Sequence, residues 1–274
     1  MTVLLPSGET VPALGMGTWM MAEDPSRRAA EIDALRTGLD LGLSLVDTAE
    51  MYGSGASETL VGEALAGRRD EVFLVSKVLP SHASAAGTVR ACEASLRRLG
   101  TDRLDLYLLH WRGSVPFAQT LDGFAALLDA GKIRHWGVSN LDLDDMRELT
   151  ALPGFCQTNQ ILYNLTRRGP EHDLLPWHVS AGIPIMAYSP VEQGRLLDSP
   201  ALASVARRHD ATPAQVALAW VLRQPQVCAI PKAGSASHVR ENARALELRL
   251  TPEDLADLDR AFPPPAGPTP LAML

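Results

Sequence analysis

The chain has 274 residues, of which 46% are hydrophobic and 21% are charged, and its net charge is −7. Its Lys and Arg residues are dispersed, which argues against a nucleic-acid partner, and no window approaches the roughly 18 consecutive apolar residues of a membrane span. The N-terminus also lacks the basic and apolar segments of an export signal. We therefore expect one domain over residues 1–274, a cytoplasmic monomer with neither nucleic acid nor a membrane as its partner.

The first segment, "TVLLPSGETVP", is typical of a small β-hairpin with its turn at Pro6-Ser7-Gly8. After it, short apolar runs alternate with longer amphipathic stretches, which indicates a parallel sheet with helical connections. The eight predicted strands are residues 13–18, 44–48, 72–77, 104–110, 133–139, 156–161, 183–189 and 227–232.

Helical patterns separate these strands, and the clearest are residues 27–41, 57–66, 85–99 and 119–130. There is room for two helices, 199–209 and 213–223, between the last two strands, and a further helix begins at Thr251. The pattern predicts an α/β fold, a (β/α)8 TIM barrel with an N-terminal β-hairpin and two extra helices. An open doubly wound sheet is the alternative, but no Gly-x-Gly-x-x-Gly follows the first strand.

Polar residues end most of the predicted strands, and in a barrel the carboxyl ends of the strands meet at one mouth. The second, third and fourth strands end near Asp47, Lys77 and His110. The next three end in Ser139 and Asn140, in Asn159 and Gln160, and in Tyr188 and Ser189. A single ionisable residue at a strand end is usually structural, but three on consecutive strands predict a reaction site.

Tyr52, five positions after Asp47, gives this site a weak acid. An ammonium group at hydrogen-bond distance favours the phenolate by about 4 kcal/mol at an effective dielectric near 20, or roughly 3 pKa units before desolvation opposes it. We expect Lys77 to tune Tyr52 in this way, Asp47 to keep Lys77 protonated, and His110 to orient a carbonyl group. Such a site delivers a proton to a developing alkoxide.

The motifs "DTAEMY", "VSK", "LLHW", "GVSN", "TNQ", "AYSP" and "IPKAGS…EN" occur in this order along nearly the whole chain. Together they resemble the aldo-keto reductase superfamily. The segments "GTWMMAEDPSRR", "DTAEMYGSGASE" and "LLHWRGSVPF" are similar to the bacterial subgroup that includes methylglyoxal reductases. The resemblance implies reduction of small aldehydes and 2-oxoaldehydes, with Asp47, Tyr52, Lys77 and His110 as the catalytic tetrad and Tyr52 as the general acid.

The resemblance also implies that NADPH binds in extended form without a Rossmann fold, and that a small carbonyl compound is the substrate. Tyr188 would stack on the nicotinamide, and its carboxamide would be held by Ser139, Asn140 and Gln160. Asp47 would lie beside the nicotinamide ribose. The pyrophosphate would lie near Ser189, Gln193 and Gly194, and the adenosine end near Lys232, Gly234, His238, Glu241 and Asn242. The substrate pocket would be walled by Trp19 and Trp111.

The chain departs from the usual family pattern after Lys232. The pattern has a serine and an arginine that hold the 2'-phosphate of NADPH, and here those positions are Ala233 and His238. Histidine is mostly neutral at pH 7, so phosphate binding should be weaker. We expect NADPH to be preferred still, with measurable use of NADH, and Ser235 and Arg240 are candidates for additional contacts.

Two other functions fit some of the same residues. A class I aldolase would use Lys77 to form a Schiff base, although a lysine beside Asp47 is poorly suited to being neutral. A non-catalytic nucleotide-binding regulatory subunit would keep the barrel, but the complete tetrad argues against it. A metal-dependent hydrolase is disfavoured because the histidines are scattered singly along the chain.

Overall fold

The sheet follows the chain, with each strand parallel to the one before it. The computed structural model describes all of residues 1–274. An antiparallel hairpin, β1 (Thr2–Leu4) and β2 (Thr10–Pro12), precedes the eight parallel strands. These are β3 (Met16–Gly17), β4 (Leu45–Asp47), β5 (Phe73–Val78), β6 (Leu104–Leu109), β7 (Ile133–Ser139), β8 (Asn159–Leu162), β9 (Ile185–Tyr188) and β10 (Val227–Ile230).

Backbone hydrogen bonds between the first and last parallel strands close the sheet into a barrel. The N–H of Gly15 donates to Ala229 at 2.9 Å, and the N–H of Gly17 donates to Pro231 at 3.0 Å. Gly17 also forms a parallel bridge with Lys232. A Cβ added to Gly17 would lie 2.7 Å from the carbonyl oxygen of Ile230, so this close approach requires a glycine.

Ten helices surround the strands. They are α1 (Arg28–Asp40), α2 (Ala56–Ala64), α3 (Ala85–Leu99), α4 (Phe117–Asp129), α5 (Leu143–Thr150), α6 (Leu174–Ala181), α7 (Pro200–Arg208), α8 (Pro213–Leu222), α9 (Ala236–Ala243) and α10 (Pro252–Ala261). The two beyond the eight of a (β/α)8 barrel are α7 and α10, which pack against each other. The predicted barrel, hairpin and two extra helices are confirmed. No helix has the length and apolar character needed to cross a membrane.

Of the eight predicted strands, only 133–139 has the predicted ends; five others differ by one or two residues at an end, and two begin three residues later than predicted. In the predicted strand 13–18, only Met16 and Gly17 pair with β4, whereas Ala13 and Gly15 hydrogen-bond to Ala229 in β10. The predicted strand 156–161 begins at Asn159 instead. Just before that strand, the side chain of Gln157 accepts a hydrogen bond from the N–H of Ser7 at 2.9 Å.

The hairpin packs on the end of the barrel opposite the mouth. Glu9 accepts hydrogen bonds from Arg134 at 2.9 Å and from His135 at 2.7 Å, near the amino end of β7. Val3 and Val11 of the hairpin are buried against the core. The carboxyl ends of the strands therefore remain open for a site.

Capping residues fix the ends of several helices. Ser84 accepts a hydrogen bond from the N–H of Gly87 at the start of α3, and Gly100 ends that helix in a left-handed conformation. Thr212 and Gln215 form a reciprocal capping box at the start of α8, where the Thr-Pro pair predicts a helix start.

The three cysteines are separate structural residues. Cys92, Cys156 and Cys228 are buried and unpaired. Burial raises the pKa of each thiol to about 12, so none is a reactive thiolate at neutral pH.

Asp254 links the two extra helices. Its carboxylate is 1% exposed and accepts hydrogen bonds from the backbone of Thr251 at 2.8 Å, from Arg208 at 2.8 Å and from His209 at 2.6 Å. Burial raises the pKa of Asp254, but these hydrogen bonds lower it more, to well below its usual range.

We predict that Asp254→Asn lowers the free energy of unfolding by about 2 kcal/mol at neutral pH. Because the pKa is depressed in the folded state, the stabilisation is present above the unfolded carboxyl pKa of about 3.9 and is lost as the pH falls below it. Urea unfolding at neutral and acid pH should show the gap between wild type and variant narrowing in acid. Asp122→Asn, at an exposed position without an ion pair, controls for the lost charge; an unchanged gap would contradict the prediction.

Candidate active site

A cavity of about 790 Å³ occupies the barrel mouth, at the carboxyl ends of the strands. It brings together nearly all of the side chains predicted to form the site. Those that line it are Trp19, Asp47, Tyr52, His110, Trp111, Ser139, Asn140, Gln160, Tyr188, Ser189, Gln193, Gly194, Lys232, His238, Glu241 and Asn242. Of the remaining two, Lys77 is fully buried and contacts Tyr52. Gly234 lies next to Lys232, since a Cβ added to it would be 3.2 Å from the lysine Nζ.

Lys77 is the centre of the site's hydrogen-bond network. Its ammonium group donates to Asp47 Oδ2 at 2.8 Å, to the carbonyl oxygen of Thr48 at 2.8 Å and to Tyr52 Oη at 3.0 Å. These three acceptors use all three of its N–H groups, and the side chain is 0% exposed. Lys77 is therefore held as a charged donor aimed at the tyrosine.

Burial and ion pairing compete at these three groups. Burial lowers the pKa of Lys77, but the charge of Asp47 and the hydrogen bonds outweigh it, so its pKa is raised. Burial raises the pKa of Asp47, against the opposing effects of Lys77 and Gln160. Burial also raises the pKa of Tyr52 more than Lys77 lowers it. Desolvation, which opposes the expected effect of Lys77, is therefore the larger of the two, and Tyr52 carries its proton at neutral pH.

A left-handed turn brings Tyr52 over Lys77. The three residues after the tyrosine, Gly53, Ser54 and Gly55, have φ values of 55°, 53° and 92°. A Cβ added to Gly55 would lie 2.6 Å from Nε of Arg98, so this glycine is required by both its conformation and its neighbour. The sequence "YGSG" can turn this sharply because glycine accepts positive φ at little cost.

A buried carboxylate supports this turn, and sequence reasoning missed it. Glu58 is 0% exposed and accepts hydrogen bonds from Ser76 Oγ at 2.6 Å and from Arg98 Nε at 2.6 Å. Ser76 immediately precedes Lys77 in β5. Glu58, in α2, therefore links this strand to α3 through its contacts with Ser76 and Arg98. The only signal in the sequence was a charged residue at a core position of α2.

His110 faces Tyr52 across the floor of the cavity. The two rings meet edge to face, with their centroids 5.9 Å apart. Burial, and then the charge of Lys77, lower the pKa of His110 to about 3. Its buried Nδ1 has no hydrogen-bond partner. His110 is thus a neutral imidazole, suited to orienting a polar group rather than to supplying a proton.

An amide network joins the tetrad to the neighbouring wall. Gln160 Nε2 donates to Asp47 Oδ1 at 2.8 Å, and the hydroxyl of Ser139 donates to the backbone of Gln160 at 2.8 Å. Asn140 donates to the carbonyl oxygen of His110 at 3.1 Å and accepts from Tyr188 Oη at 2.9 Å. These contacts hold each polar side chain in a defined orientation.

The loop after β9 is conformationally strained and strongly anchored. Ser189, Glu192 and Gln193 have positive φ values of 46°, 47° and 57°. The buried carboxylate of Glu192 accepts hydrogen bonds from Arg167 at 2.9 Å and Arg195 at 3.0 Å. Glu192 was not predicted, because its role depends on arginines that only the fold brings to it.

One lysine and one arginine line the cavity, Lys232 and Arg27. Arg27 precedes α1 and was not predicted. His238 is exposed, and Glu241 accepts a hydrogen bond from the hydroxyl of Thr212 at 2.6 Å. The suggested contacts Ser235 and Arg240 do not line the cavity.

Apolar side chains surround the mouth next to Tyr52. Trp19 and Trp111 are half-buried there, as predicted, and Trp111 packs on His110 with ring centroids 4.9 Å apart. The exposed residues Met20 and Met51 also line the cavity and were not predicted, because nothing in their spacing distinguishes them from surface residues.

Comparison with known proteins identifies the family. The sequence profile of the Aldo/keto reductase family matches residues 13–262. The chain belongs to this family. It is 53% identical over 272 residues to methylglyoxal reductase YeaE of Escherichia coli K12, an alignment that covers 97% of this chain and 96% of that protein. An aldo-keto reductase of Mycolicibacterium smegmatis is 35% identical, with 93% of this chain and 91% of that one covered.

Solved structures of family members have the same fold. An aldo/keto reductase from Klebsiella pneumoniae, in complex with NADP and acetate, superimposes with a TM-score of 0.97 at 50% identity and covers 100% of this chain and 99% of its own. A thermostable aldo-keto reductase in complex with the inhibitor epalrestat gives a TM-score of 0.90 at 39% identity, with coverage of 95% and 99%. The resemblance seen in the sequence motifs is confirmed.

We predict that His110 remains neutral between about pH 5 and about pH 8, because its pKa of about 3 lies below this range. Long-range ¹H–¹⁵N NMR should show ring-nitrogen shifts that do not change with pH, with His110→Gln used to assign the signals. A histidine peptide, titrating near pH 6.5, provides the reference. A His110 midpoint near that of the peptide would contradict the prediction.

Proposed function

We propose that this chain uses NADPH to reduce small aldehydes and 2-oxoaldehydes such as methylglyoxal to alcohols, with Tyr52 donating the proton. The observation that carries the proposal is the Lys77 ammonium group, bound by Asp47 and Tyr52 at the floor of the large cavity. Few reactions other than carbonyl reduction need a protonated tyrosine supported by a buried cation beside a neutral histidine.

The residues of the cavity fit a dinucleotide. The cavity is lined by Tyr52 and His110 and also by Lys232 and Arg27, so a proton donor and a cationic site for a phosphate group open into the same space. Two related structures are described as complexes with NADP and NADPH. When bound, NADPH supplies a hydride. Tyr188, Gln160 and Asn140 would hold its nicotinamide, and Lys232 its adenosine end.

Residues of this chain then transfer the proton. Tyr52 gives its proton to the oxygen of the substrate carbonyl as negative charge develops there, and its own oxygen becomes anionic. Lys77 Nζ, 3.0 Å from that oxygen, stabilises the anion by about 5.5 kcal/mol at an effective dielectric near 20. Asp47 keeps Lys77 charged, while neutral His110 donates a hydrogen bond to the same carbonyl oxygen and directs it towards Tyr52.

The contacts of Lys77 argue against the two alternatives. A class I aldolase needs a neutral lysine that can reach its substrate, whereas Lys77 is fully buried with all three of its N–H groups occupied. A regulatory subunit needs no proton donor. Here, however, the raised pKa of Lys77 keeps a cation beside Tyr52, and the amide of Gln160 donates a hydrogen bond to Asp47. Borohydride capture of a substrate on Lys77 would instead support the aldolase.

The walls of the mouth favour small substrates. Trp19 and Trp111 stand beside the reacting tyrosine, and Met51 adds apolar surface. YeaE, at 53% identity, is named a methylglyoxal reductase. We further infer that residues 1–274 form one domain, because the hairpin contacts β7 through Glu9 and the tail reaches Gly169 through Thr269.

We predict that Tyr52→Phe retains nucleotide binding but reduces kcat for methylglyoxal by about 100-fold to 10,000-fold, because the proton donor is lost. Steady-state kinetics and nucleotide titration measure the two effects. Tyr107→Phe is the matched control, since its buried hydroxyl has no partner and lies outside the cavity, and it should keep normal activity. Near-normal turnover by Tyr52→Phe would remove Tyr52 from the mechanism.

We predict that kcat/KM is higher for methylglyoxal and aromatic aldehydes than for bulky ketones or steroids, because the two tryptophans narrow the mouth. A substrate panel assayed with NADPH and NADH in parallel tests this. Trp19→Ala should improve the relative efficiency on the bulkier substrates. A steroid ketone that exceeds every small aldehyde in kcat/KM would overturn the assignment of the substrate class.

A further inference from the structure

Arg27 and Lys232 form a basic pair in the lining of the cavity. They are the only lysine and arginine side chains that line the cavity. A Cβ built on Gly234 would lie 2.7 Å from Nη2 of Arg27 and 3.2 Å from Nζ of Lys232. The two cationic nitrogens are therefore no farther apart than the sum of these distances, and the lack of a side chain at Gly234 leaves room for both.

The pair lacks a counter-ion. Neither side chain forms an ion pair or a side-chain hydrogen bond, whereas Arg28, the next residue, is paired with Glu63. Three acids line the cavity nearby: Asp24 accepts from Ser26 at 2.9 Å, Glu31 accepts from the N–H of Ala22 at 2.9 Å, and Glu23 forms no ion pair with either cation. Two adjacent cations without a partner repel each other, an arrangement that favours binding of an anion.

The repulsion is evident at Lys232. Loss of water around its ammonium group, and then the charge of Arg27, lower the pKa of Lys232, while Glu31 and Glu23 oppose the shift. A bound anion would relieve this effect, because it is attracted to both cations at once.

Barrel closure explains why these two residues meet. Gly17, at the end of β3, bridges to Lys232 after β10, and α1 packs against α9. The loop that follows the first strand therefore lies beside the loop that follows the last. Within it, the turn Pro25–Arg27 is capped by Asp24, which fixes the backbone from which Arg27 extends.

We infer that Arg27 is a specificity-determining residue that binds the 2'-phosphate of NADP(H) together with Lys232. It supplies the permanent charge that His238 lacks, and its planar fork matches two phosphate oxygens. The inference rests on the proposed function, since it assigns one part of the nucleotide site. On this inference, the residue that maintains the preference for NADPH lies in the loop after β3 rather than in α9.

The test measures dissociation constants of NADPH and NADH by quenching of tryptophan fluorescence, in wild type, Arg27→Gln and Arg28→Gln. Arg27→Gln should weaken NADPH binding by at least about ten-fold and change NADH binding by less than about two-fold. Arg28→Gln removes the same charge one residue away, outside the cavity, and should change neither constant.

A second variant separates a direct contact from a structural effect. Arg27→Gln with His238→Arg returns a guanidinium to the cavity lining and should recover most of the lost NADPH affinity. An unchanged ratio of NADPH to NADH affinity in Arg27→Gln, or an equal loss in Arg28→Gln, would overturn the inference while leaving the reductase proposal standing. Wild type that binds neither nucleotide would overturn both.

Discussion

The rest of the site depends on the charged state of one buried lysine. The ammonium group of Lys77 joins β4 through Asp47 and Thr48, and reaches the following turn through Tyr52. Burying a charge at 0% exposure is costly unless every hydrogen bond is made, and here every one is. Gln160 then orients Asp47, and Glu58 holds the strand residue next to Lys77. Much of the polar structure at the mouth can be understood as support for this charge.

Strand periodicity explains why so much of the site could be predicted. Asp47, Lys77 and His110 end apolar runs, and the carboxyl ends of parallel strands necessarily meet at one mouth. The geometry of Tyr52 followed from the same argument, but its protonation did not, because the cost of burial depends on packing that the sequence does not specify. Arg27 and Glu192 were missed for another reason: each acts through contacts between loops that are distant in the chain. Their neighbours are set by closure of the barrel, not by local pattern.

Closure of the barrel also means that the tetrad and the basic pair come from different parts of the chain. The tetrad comes from consecutive strands, so its geometry follows from neighbouring pairings such as β4 with β5. The basic pair comes from the first and last strands, whose contact is limited to a few backbone hydrogen bonds and bridges. The residues around Tyr52 and the basic pair are therefore placed by different strand pairings.

The strained loop after β9 has a kinetic consequence. Its positive φ values at Glu192 and Gln193 are maintained by a buried carboxylate with arginine partners on both sides. A loop that is already ordered loses little conformational entropy when a nucleotide arrives, and it need not fold over the ligand afterwards. Nucleotide association with such a surface resembles docking to a preformed groove, so its release is governed by the strength of the contacts themselves rather than by the opening of a lid.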